Sequence, residues 1–315
     1  MCIRDRHGVI SQDGLFAYQV IDGLNQKVNC KYKINNDGSI GFNISNYNQN
    51  LPVIIDPLVS SSYIGGVGND FANSIATDGN YNTYVCGTTY SPSFPVTSGS
   101  YDQTKDNNYD VFVSKFNSID DNLIYSTFIG GNSSESGLGI AIDNNGDAFV
   151  TGNTSSNNFP VSLTAYDKTQ NGGSDAFIAK LNPNGNELLY SSYIGGAKND
   201  EGTSISIDKN NCPYVAGKTE SIDFPTLNGY DNSFNSGGDD GFISKFSNTG
   251  NNLIYSSYLG GSDRDVISSI KLFGNEAIVT GYTYSTNFPV SSTSYDQTSN
   301  GYLSLIHISE PTRPY

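Results

Sequence analysis

Tyr63-Ile64-Gly65-Gly66 is the stretch that decides the fold, because close copies of it follow at a fixed interval. The copies are Phe128-Ile129-Gly130-Gly131, Tyr193-Ile194-Gly195-Gly196 and Tyr258-Leu259-Gly260-Gly261, and the interval is 65 residues each time. A constant period of this size is typical of a structural array, in which one unit cannot bury its apolar face alone and stacks on its copies. The function is therefore to be sought in what such an array does.

Each copy contains four short strand-like segments, which are plainest in the second copy. Residues 139–152 predict one hairpin around Asn144-Asn145-Gly146, because Asn-Gly supplies the positive φ that tight hairpin turns require. Residues 176–194 predict another around Asn182-Pro183-Asn184-Gly185. No segment shows the 3.6-residue period of a helix over ten or more residues. The pattern predicts an all-β protein, a β-propeller built from four-stranded blades.

The connection between the second and third strands is long, and it also recurs. It begins with Phe-Pro in all four copies and carries a Tyr-Asp pair further on. The Phe residues are Phe94, Phe159, Phe224 and Phe288, and the Tyr residues are Tyr101, Tyr166, Tyr230 and Tyr295. Two buried rings contribute several kcal/mol at about 25 cal/mol per Å² of apolar area. We therefore predict that these rings dock against the blade or against the seam with its neighbour.

The recurring motifs resemble a known family. The succession Ser-x-Tyr-Ile/Leu-Gly-Gly, Ile-Ala-x-Asp-x-x-Gly, Val-x-Gly-x-Thr, Phe-Pro and Asp-Ala/Gly-Phe-Ile-x-Lys-Leu/Phe resembles the SBBP repeat, a β-propeller repeat of bacterial secreted and surface proteins. The resemblance covers roughly residues 58–302. It implies extracellular or cell-surface placement and brings no catalytic residue with it. The fourth copy departs from the pattern at Lys271-Leu272-Phe273-Gly274, where it is one residue shorter, so its first hairpin fits least well.

The segment before the repeats predicts a different β domain. Strands are expected at residues 15–20, 28–34 and 40–44, with a hairpin turn at Asn36-Asp37-Gly38. The run from Leu51 to Leu58, Leu-Pro-Val-Ile-Ile-Asp-Pro-Leu, resembles the end of the β-rich domain of unknown function that often precedes SBBP repeats.

Both ends of the chain resemble translated sequencing adapter, read once on each strand, and are excluded from the fold prediction. The predicted organisation therefore has four parts. These are residues 1–6 (adapter), 7–57 (the C-terminal part of the β domain), 58–302 (about three and a half propeller blades, the last truncated) and 303–315 (adapter). The sequence is expected to be a fragment of a longer protein.

The composition is acidic. The chain has 16 Lys and Arg residues against 31 Asp and Glu residues, a net charge of −15, and removal of the adapter segments leaves 13 against 29. A surface of this charge repels nucleic acid and anionic lipid. No stretch of about 20 apolar residues is available for a membrane span. We expect neither a nucleic-acid partner nor membrane insertion of this segment.

Few residues suit catalysis. With His307 assigned to the adapter, His7 is the remaining histidine, so Ser-His-Asp and Cys-His arrangements lack their base. Cys30, Cys86 and Cys212 do not repeat in register and support neither a disulfide framework nor a zinc site. Paired carboxylates could act as acid and base, as in glycosidases, but nothing marks out one pair. The sequence predicts no catalytic, cofactor-binding or metal-binding residue, and no cofactor.

One acidic turn superficially resembles a calcium loop. Asp143-Asn144-Asn145-Gly146-Asp147 lacks the later bidentate Glu and the flanking helices of such loops. A turn in which Asp143 accepts backbone N–H groups is the preferred interpretation.

A second acidic set opens the third strand of three successive copies, at Asp110, Asp175 and Asp240. A ring of carboxylates could bind a cation, but recurrence in every copy favours a capping role. Lysines follow five residues later, at Lys115, Lys180 and Lys245. Pairing of these Asp and Lys residues within or between blades is the simplest use for both sets.

The aromatic content raises carbohydrate binding. The chain has 22 Tyr and 16 Phe but no Trp, and most rings recur in register, which marks them as core. Tyr81, Tyr90 and Tyr109 are non-recurring candidates for exposed rings, but they are scattered in the sequence. We expect a non-enzymatic, secreted or cell-surface scaffold for adhesion or for contact with an unknown protein or glycan. The alternative is a fragment of an extracellular polysaccharide-acting enzyme whose catalytic part lies elsewhere or on the propeller's channel face.

Overall fold

The structure is a computed structural model in which the regular elements are strands. Within its described ranges there is no helix, and hence none long and apolar enough to cross a membrane. The chain divides into two compact units, Met1–Tyr63 and Ile64–Tyr315. The described residues are 2–5, 8–11, 16–21, 23–34, 40–56, 62–106, 108–118, 122–235, 237–274, 276–291, 294–296, 298 and 303–309.

The N-terminal unit contains a hairpin and a four-stranded antiparallel sheet. The strands are β1 (Cys2–Asp5), β2 (Gly8–Ser11), β3 (Phe16–Ile21), β4 (Leu24–Ile34), β5 (Ile40–Ser45) and β6 (Ile54–Asp56). The sheet order is β5-β4-β3-β6. The three strands predicted here are confirmed, with β4 beginning four residues earlier than expected. The turn predicted at residues 36–38 lies outside the described residues.

The second unit begins with three blades of identical plan. Each is a four-stranded antiparallel sheet in which the strands follow one another in chain order. The blades are β7 (Asp70–Thr77), β8 (Thr83–Thr89), β9 (Asp110–Phe116) and β10 (Leu123–Ile129); β11 (Glu135–Ile142), β12 (Ala148–Thr154), β13 (Asp175–Leu181) and β14 (Leu188–Ile194); and β15 (Asp200–Ile207), β16 (Pro213–Thr219), β17 (Asp240–Phe246) and β18 (Leu253–Leu259). The predicted all-β, four-stranded repeat is confirmed.

A three-stranded sheet follows, formed by β19 (Asp265–Phe273), β20 (Glu276–Thr283) and β21 (Leu303–Ser309). The first hairpin of the fourth copy therefore forms despite its altered turn. Phe273 pairs with Glu276 and Gly274 has a φ of +64°, so a two-residue turn replaces the longer Asp-containing one. β21 lies in the segment that the sequence assigns to adapter, and it pairs with β20 along its whole length.

A bulge in the first strand recurs in every blade, and at two of the seams its polar side chains hydrogen-bond to the next blade. In β7 the register shifts between Ala72 and Ser74, and equivalent shifts occur in β11, β15 and β19. The Nδ2 of Asn73 donates to the carbonyl of Gly137 at 2.8 Å, and the N–H of Ile140 donates to Ser74 Oγ at 3.3 Å. The third blade and the fourth sheet make the same contacts through Thr203, Ser204, Ile267 and Ile270.

The apolar core lies in the seams between blades. Ile140, Ile205 and Ile270 occupy the same position of the first strand and are at most 6% exposed. Ile75 occupies that position in the first blade and is 68% exposed. Full burial of one such side chain contributes about 1.5–3 kcal/mol, so the first strands of successive blades are held face to face mainly by apolar contact.

The predicted docking of the Phe residues is confirmed. Phe94, Phe159, Phe224 and Phe288 are all buried. The Phe159 ring lies 4.7 Å from Phe177 on the third strand and 5.9 Å from Tyr193 on the fourth, measured between ring centroids. The same arrangement recurs in the first and third blades. Phe94, Phe159 and Phe224 therefore each pack on their own blade.

The predicted docking of the Tyr residues is only half right. Tyr101 packs against the apolar cluster shared by the first two blades, and Tyr166 meets Phe246 of the third blade edge to face at 5.9 Å. Tyr230 and Tyr295 are exposed. The prediction is wrong for these two, because an exposed ring is not docked against a blade or a seam.

The same long connection also covers the outer edge of its blade. The N–H of Thr97 donates to the carbonyl of Ser126 on β10 at 3.1 Å, and the N–H of Phe128 donates to the carbonyl of Asp102 at 3.0 Å. Equivalent hydrogen bonds run along β14 and β18. An unpaired strand edge is a template for pairing with another chain, and these loops occupy that edge.

Candidate functional site

An open groove lies at one end of the first blade. We call this the Gly-Gly end, because in every blade it is where the first strand begins, the fourth strand ends and the Gly-Gly segment follows; the opposite end is the Lys end. The groove has a volume of about 300 Å³ and is lined by Phe71, Asn73, Thr88, Tyr109 and Ser136.

Two neighbouring strands and the next blade position these side chains. Phe71 on β7 pairs with Thr88 on β8. Asn73 is the bulge residue of β7, and its Nδ2 lies 3.3 Å from the Thr88 hydroxyl. Tyr109 immediately precedes β9, and Ser136 is the second residue of β11. The groove is therefore a seam feature, with walls from the first and second blades.

A further ring extends the groove outward. Tyr90 follows β8, and its ring centroid is 5.1 Å from that of Tyr109, with the planes inclined at 46°. Lys105 Nζ lies 5.4 Å from the centroid of Tyr90. Tyr90 is 47% and Phe71 51% exposed. Rings beside amide, hydroxyl and ammonium groups suit ligand binding, because the rings give apolar contact area and the polar groups fix orientation.

This aromatic cluster departs from the repeat. Phe71, Tyr90 and Tyr109 are at equivalent positions to small or charged residues in the next two copies. The equivalents are Ser136, Ser155 and Ser174 in the second copy and Glu201, Glu220 and Asp239 in the third. Packing of a blade does not require an aromatic ring at any of these three positions, because the second and third blades form without rings there.

The structure brings together two of the three tyrosines that the sequence singled out. Tyr90 and Tyr109 end and begin neighbouring strands, so they meet at the Gly-Gly end. Tyr81 is 79% exposed in the turn between β7 and β8, at the Lys end, and takes no part. Phe71 was missed, although its polar equivalents in the second and third copies, Ser136 and Glu201, could have marked it.

The Lys end carries a row of buried ion pairs. Lys180 Nζ lies 3.3 Å from Asp143 Oδ2 and 2.8 Å from Asp147 Oδ2. Lys115 pairs with Asp78 at 3.5 Å and Lys245 with Asp208 at 3.0 Å. Each pair lies within one blade.

The Asp143 segment is a turn, as predicted. The N–H groups of Asn145 and Asp147 donate to Asp143 Oδ1 at 2.9 and 3.0 Å, and Gly146 has a φ of +84°. Asp78 and Asp208 hold the equivalent turns in the same way.

Comparison with known families agrees with this geometry. A domain of unknown function (DUF7948) matches residues 1–58, and the β-propeller repeat SBBP matches residues 61–95 and 124–160. The chain carries SBBP repeats. They follow the domain of unknown function in the order that the sequence motifs predict.

Similarity to individual proteins is remote. The comparison with curated proteins gives no match. Among solved structures, Kuenenia stuttgartiensis hydrazine synthase is similar with a TM-score of 0.35 and 9% identity, over 82% of this chain and 66% of that one. The SBBP chain thus spans slightly less than two thirds of that structure's length.

The aspartates that open the third strand of each blade do not pair with the lysines that follow them. Asp175 Oδ2 accepts from the N–H of Asn171 at 2.9 Å, and its Oδ1 accepts from the N–H of Gly172 at 3.2 Å. Asp110 and Asp240 accept from loop N–H groups in the same way. The capping role is confirmed, whereas the predicted pairing with Lys115, Lys180 and Lys245 is wrong. Five residues of strand span about 16 Å, which puts Asp and Lys at opposite ends of the blade.

Burial alters the titration of these carboxyls. It raises the pKa of Asp110, Asp175 and Asp240 to about 7, with neighbouring carboxylates contributing. A pKa near neutrality suits acid–base catalysis. These side chains are at most 2% exposed, however, and they recur in three blades, so no substrate reaches them in this structure.

The two cysteines of the propeller unit, Cys86 and Cys212, do not line the groove. Cys86 is fully buried in the first blade, and burial raises the pKa of its thiol. Cys212 is half-buried in the turn before β16, and Cys30 lies in the N-terminal unit; all three are free.

Proposed function

We propose that this protein is a non-enzymatic, secreted or cell-surface β-propeller scaffold that binds a glycan through the first-blade groove. The observation that carries the proposal is the aromatic cluster of Phe71, Tyr90 and Tyr109, which interrupts an otherwise regular repeat. Positions that packing leaves free are where a repeat protein acquires a binding surface.

The chemistry of the groove favours a carbohydrate. A sugar ring offers an apolar C–H face, which stacks on aromatic rings, and hydroxyl groups at its edge. Phe71 and Tyr109 supply rings, while Asn73, Thr88 and Ser136 supply an amide and two hydroxyls within the same groove. A volume of about 300 Å³ is at the small end of ligand sites and suits a short segment of a glycan.

The lining residues argue against turnover. Hydrolysis of a glycosidic bond generally uses two carboxyl groups on either side of the bond. The groove residues include no Asp, Glu or His. The nearest carboxylates to Tyr109 and Ser136 in the chain, Asp110 and Glu135, are buried beneath the surface. A binding role therefore fits the groove better than a polysaccharide-acting enzyme does.

Extracellular placement is part of the proposal. It is supported by the SBBP repeats and by the net charge of −15, which keeps a protein soluble and disfavours nucleic-acid partners.

The test is glycan-array binding by the full chain, followed by titration of the best neutral oligosaccharide. Phe71→Ser and Tyr109→Ser introduce the residues that the second blade carries at these positions, so the blade is expected to tolerate them. Each should weaken binding at least tenfold, because loss of an aromatic anchor commonly costs more than about 1.4 kcal/mol.

Tyr81→Ser is the matched control, since it removes an exposed ring at the Lys end. Its affinity should equal that of the unchanged protein. Binding that survives both groove substitutions contradicts the proposed site. Release of shorter sugars from the bound glycan would instead support the polysaccharide-acting alternative.

A further inference from the structure

The Gly-Gly end contains a second recurring feature, independent of the groove. At each seam the Asp that opens the third strand of one blade lies near the acidic residue that opens the first strand of the next. We call these the seam acid pairs. They are Asp110 with Glu135, Asp175 with Asp200, and Asp240 with Asp265, and every member is at most 2% exposed.

One glycine of the Gly-Gly segment packs against both carboxylates of each pair. A Cβ added to Gly260 would lie 2.9 Å from Asp240 Oδ1 and 3.0 Å from Asp265 Oδ2. A Cβ added to Gly130 would lie equally close to the facing oxygens of Asp110 and Glu135. Both carboxylates therefore pack so closely on the same glycine that a side chain there would collide with them.

Each pair has at least one buried oxygen without a hydrogen-bond partner. Asp265 Oδ2 accepts from the N–H of Gly261 at 2.6 Å and from Ser285 Oγ at 2.8 Å. Asp110 and Asp240 are capped on one oxygen only, whereas Asp175 accepts on both. Among the described residues, Oδ1 has no hydrogen-bond partner in Asp110, Asp200, Asp240 and Asp265. A buried carboxylate oxygen in this state is costly.

The protein provides little positive charge at this place. The five ion pairs found among the described residues involve none of the six seam acids. Lys105 lies near Asp110, but its ammonium donates to the carbonyls of Asp106 and Asn108. Loop acids add further negative charge, Asp106 beside the first pair and Asp231 beside the third.

We propose that the seam acid pairs bind divalent cations of the Ca²⁺ and Mg²⁺ type. Such ions prefer oxygen ligands, and a double positive charge matches two carboxylates. The unpartnered Oδ1 atoms of Asp110 and Asp240, which lie beside Gly130 and Gly260, become ligands. Within the described residues no group of three Asp, Glu, His or Cys side chains surrounds one point. The remaining ligands would therefore be backbone carbonyls and water, as is usual for Mg²⁺ and common for Ca²⁺.

A cation in this position would act as a clasp between blades. One ligand belongs to the third strand of a blade and the other to the first strand of its neighbour, so the bound ion ties the seam at the Gly-Gly end. Binding to the folded state alone raises its stability by mass action.

The experiment uses the full chain, stripped with chelator and dialysed into metal-free buffer. Bound metal is measured by equilibrium dialysis with CaCl₂ or MgCl₂, and the melting temperature is followed in parallel. We expect saturable binding below about 1 mM, the weak limit for extracellular calcium modules, together with a rising melting temperature.

Two variants locate the ions. Asp240→Asn and Asp110→Asn preserve an oxygen for the loop N–H, and each should remove one equivalent of bound metal. Glu187→Gln removes an exposed carboxylate far from the pairs and should leave the stoichiometry unchanged. Absence of saturable binding, or an equal loss in Glu187→Gln, overturns the proposal.

A spectroscopic readout covers the case in which a variant folds poorly. Tb³⁺ replaces Ca²⁺ and emits when a nearby tyrosine is excited, and Tyr109 is adjacent to Asp110 in the chain. Folded protein should give sensitised emission that Ca²⁺ displaces. Emission that Ca²⁺ does not displace contradicts a cation site at the first pair.

Discussion

Both ends of each blade bury carboxylates, but the two ends place different groups beside them. At the Lys end, Asp78, Asp143 and Asp208 each accept backbone N–H groups and meet a lysine of the same blade. At the Gly-Gly end, Asp110 and Asp240 face another carboxylate instead. A buried charge is tolerated when it is paired. The carboxylates of the Lys end already have a cationic partner, whereas those of the Gly-Gly end have none among the described residues and would be stabilised by a bound cation.

The titration of the carboxyls reflects this difference. Burial acts to raise the pKa of Asp208, but hydrogen bonds from the N–H of Cys212 and from Lys245 hold it below its usual value. At the Gly-Gly end burial prevails, and the pKa of Asp175 and Asp240 rises to about 7. The comparison teaches that recurrence of an acid in a repeat does not reveal its role; the role depends on what the fold places opposite it.

The largest effect is expected from removing an apolar anchor at the Gly-Gly end. Phe159→Ala should lower the free energy of unfolding by about 3–5 kcal/mol, since it opens a cavity against Phe177 and Tyr193. Urea denaturation measures the change. Leu163→Ala, in the same connection but 92% exposed, is the control and should have little effect. Equal stabilities of the two variants would show that the Phe ring does not dock.

The next largest effect probes the ion pairs of the Lys end. Lys180→Met leaves Asp143 and Asp147 without their cation and should cost about 3 kcal/mol, because an unpaired buried charge is strongly unfavourable. Thermal melting of Lys180→Met beside Lys198→Met, whose side chain is exposed, gives the comparison. A Lys180→Met protein that melts with the control would remove the distinction between the two ends.

A pH series sharpens the same distinction. Asp208 has a lowered pKa in the folded protein, so its stabilising contribution is present above the pKa of the unfolded chain, about 3.9, and is lost as the pH falls through the folded value. Asp208→Asn should be less stable than the unchanged protein at pH 7, with a shallower loss of stability below about pH 4. If the two proteins lose stability identically below about pH 4, the Asp208–Lys245 pair contributes nothing to the free energy of unfolding.

The smallest effect concerns the tyrosines of the long connection. Tyr166→Ala should cost about 1 kcal/mol more than Tyr230→Ala, because Tyr166 meets Phe246 edge to face whereas Tyr230 is 62% exposed. Paired melting curves test this difference. A larger loss for Tyr230→Ala would contradict the contribution assigned to the contact between Tyr166 and Phe246.

The period of 65 residues was enough to predict the strands, the turns and the burial of Phe94, Phe159 and Phe224, because each depends on chemistry within one blade. The pairing of Asp110 with Lys115 was predicted wrongly, since residues five apart on a strand lie at opposite ends of it. The proximity of Tyr90 and Tyr109 could have been predicted, because the two residues stand at the two ends of one connection between neighbouring strands. It was overlooked because they are distant in sequence.

The seam acid pairs could not be predicted from the sequence. Asp175 and Asp200 meet only because one blade stacks on the next, and no local pattern reveals that approach. The sequence led us to expect no metal-binding residue, and the cation proposal departs from that expectation on the strength of the facing carboxylates.

The long connection along β10, β14 and β18 has an evolutionary consequence. Each blade covers the outer edge of its fourth strand with a loop from the same repeat. Duplication or deletion of a 65-residue unit therefore leaves no unpaired strand edge on the outside of the array. The surface that such an event creates is another seam, which matches the seams already present. The array can thus gain or lose blades by recombination while its outer strand edges remain covered. New binding residues then arise at the ends of the blades.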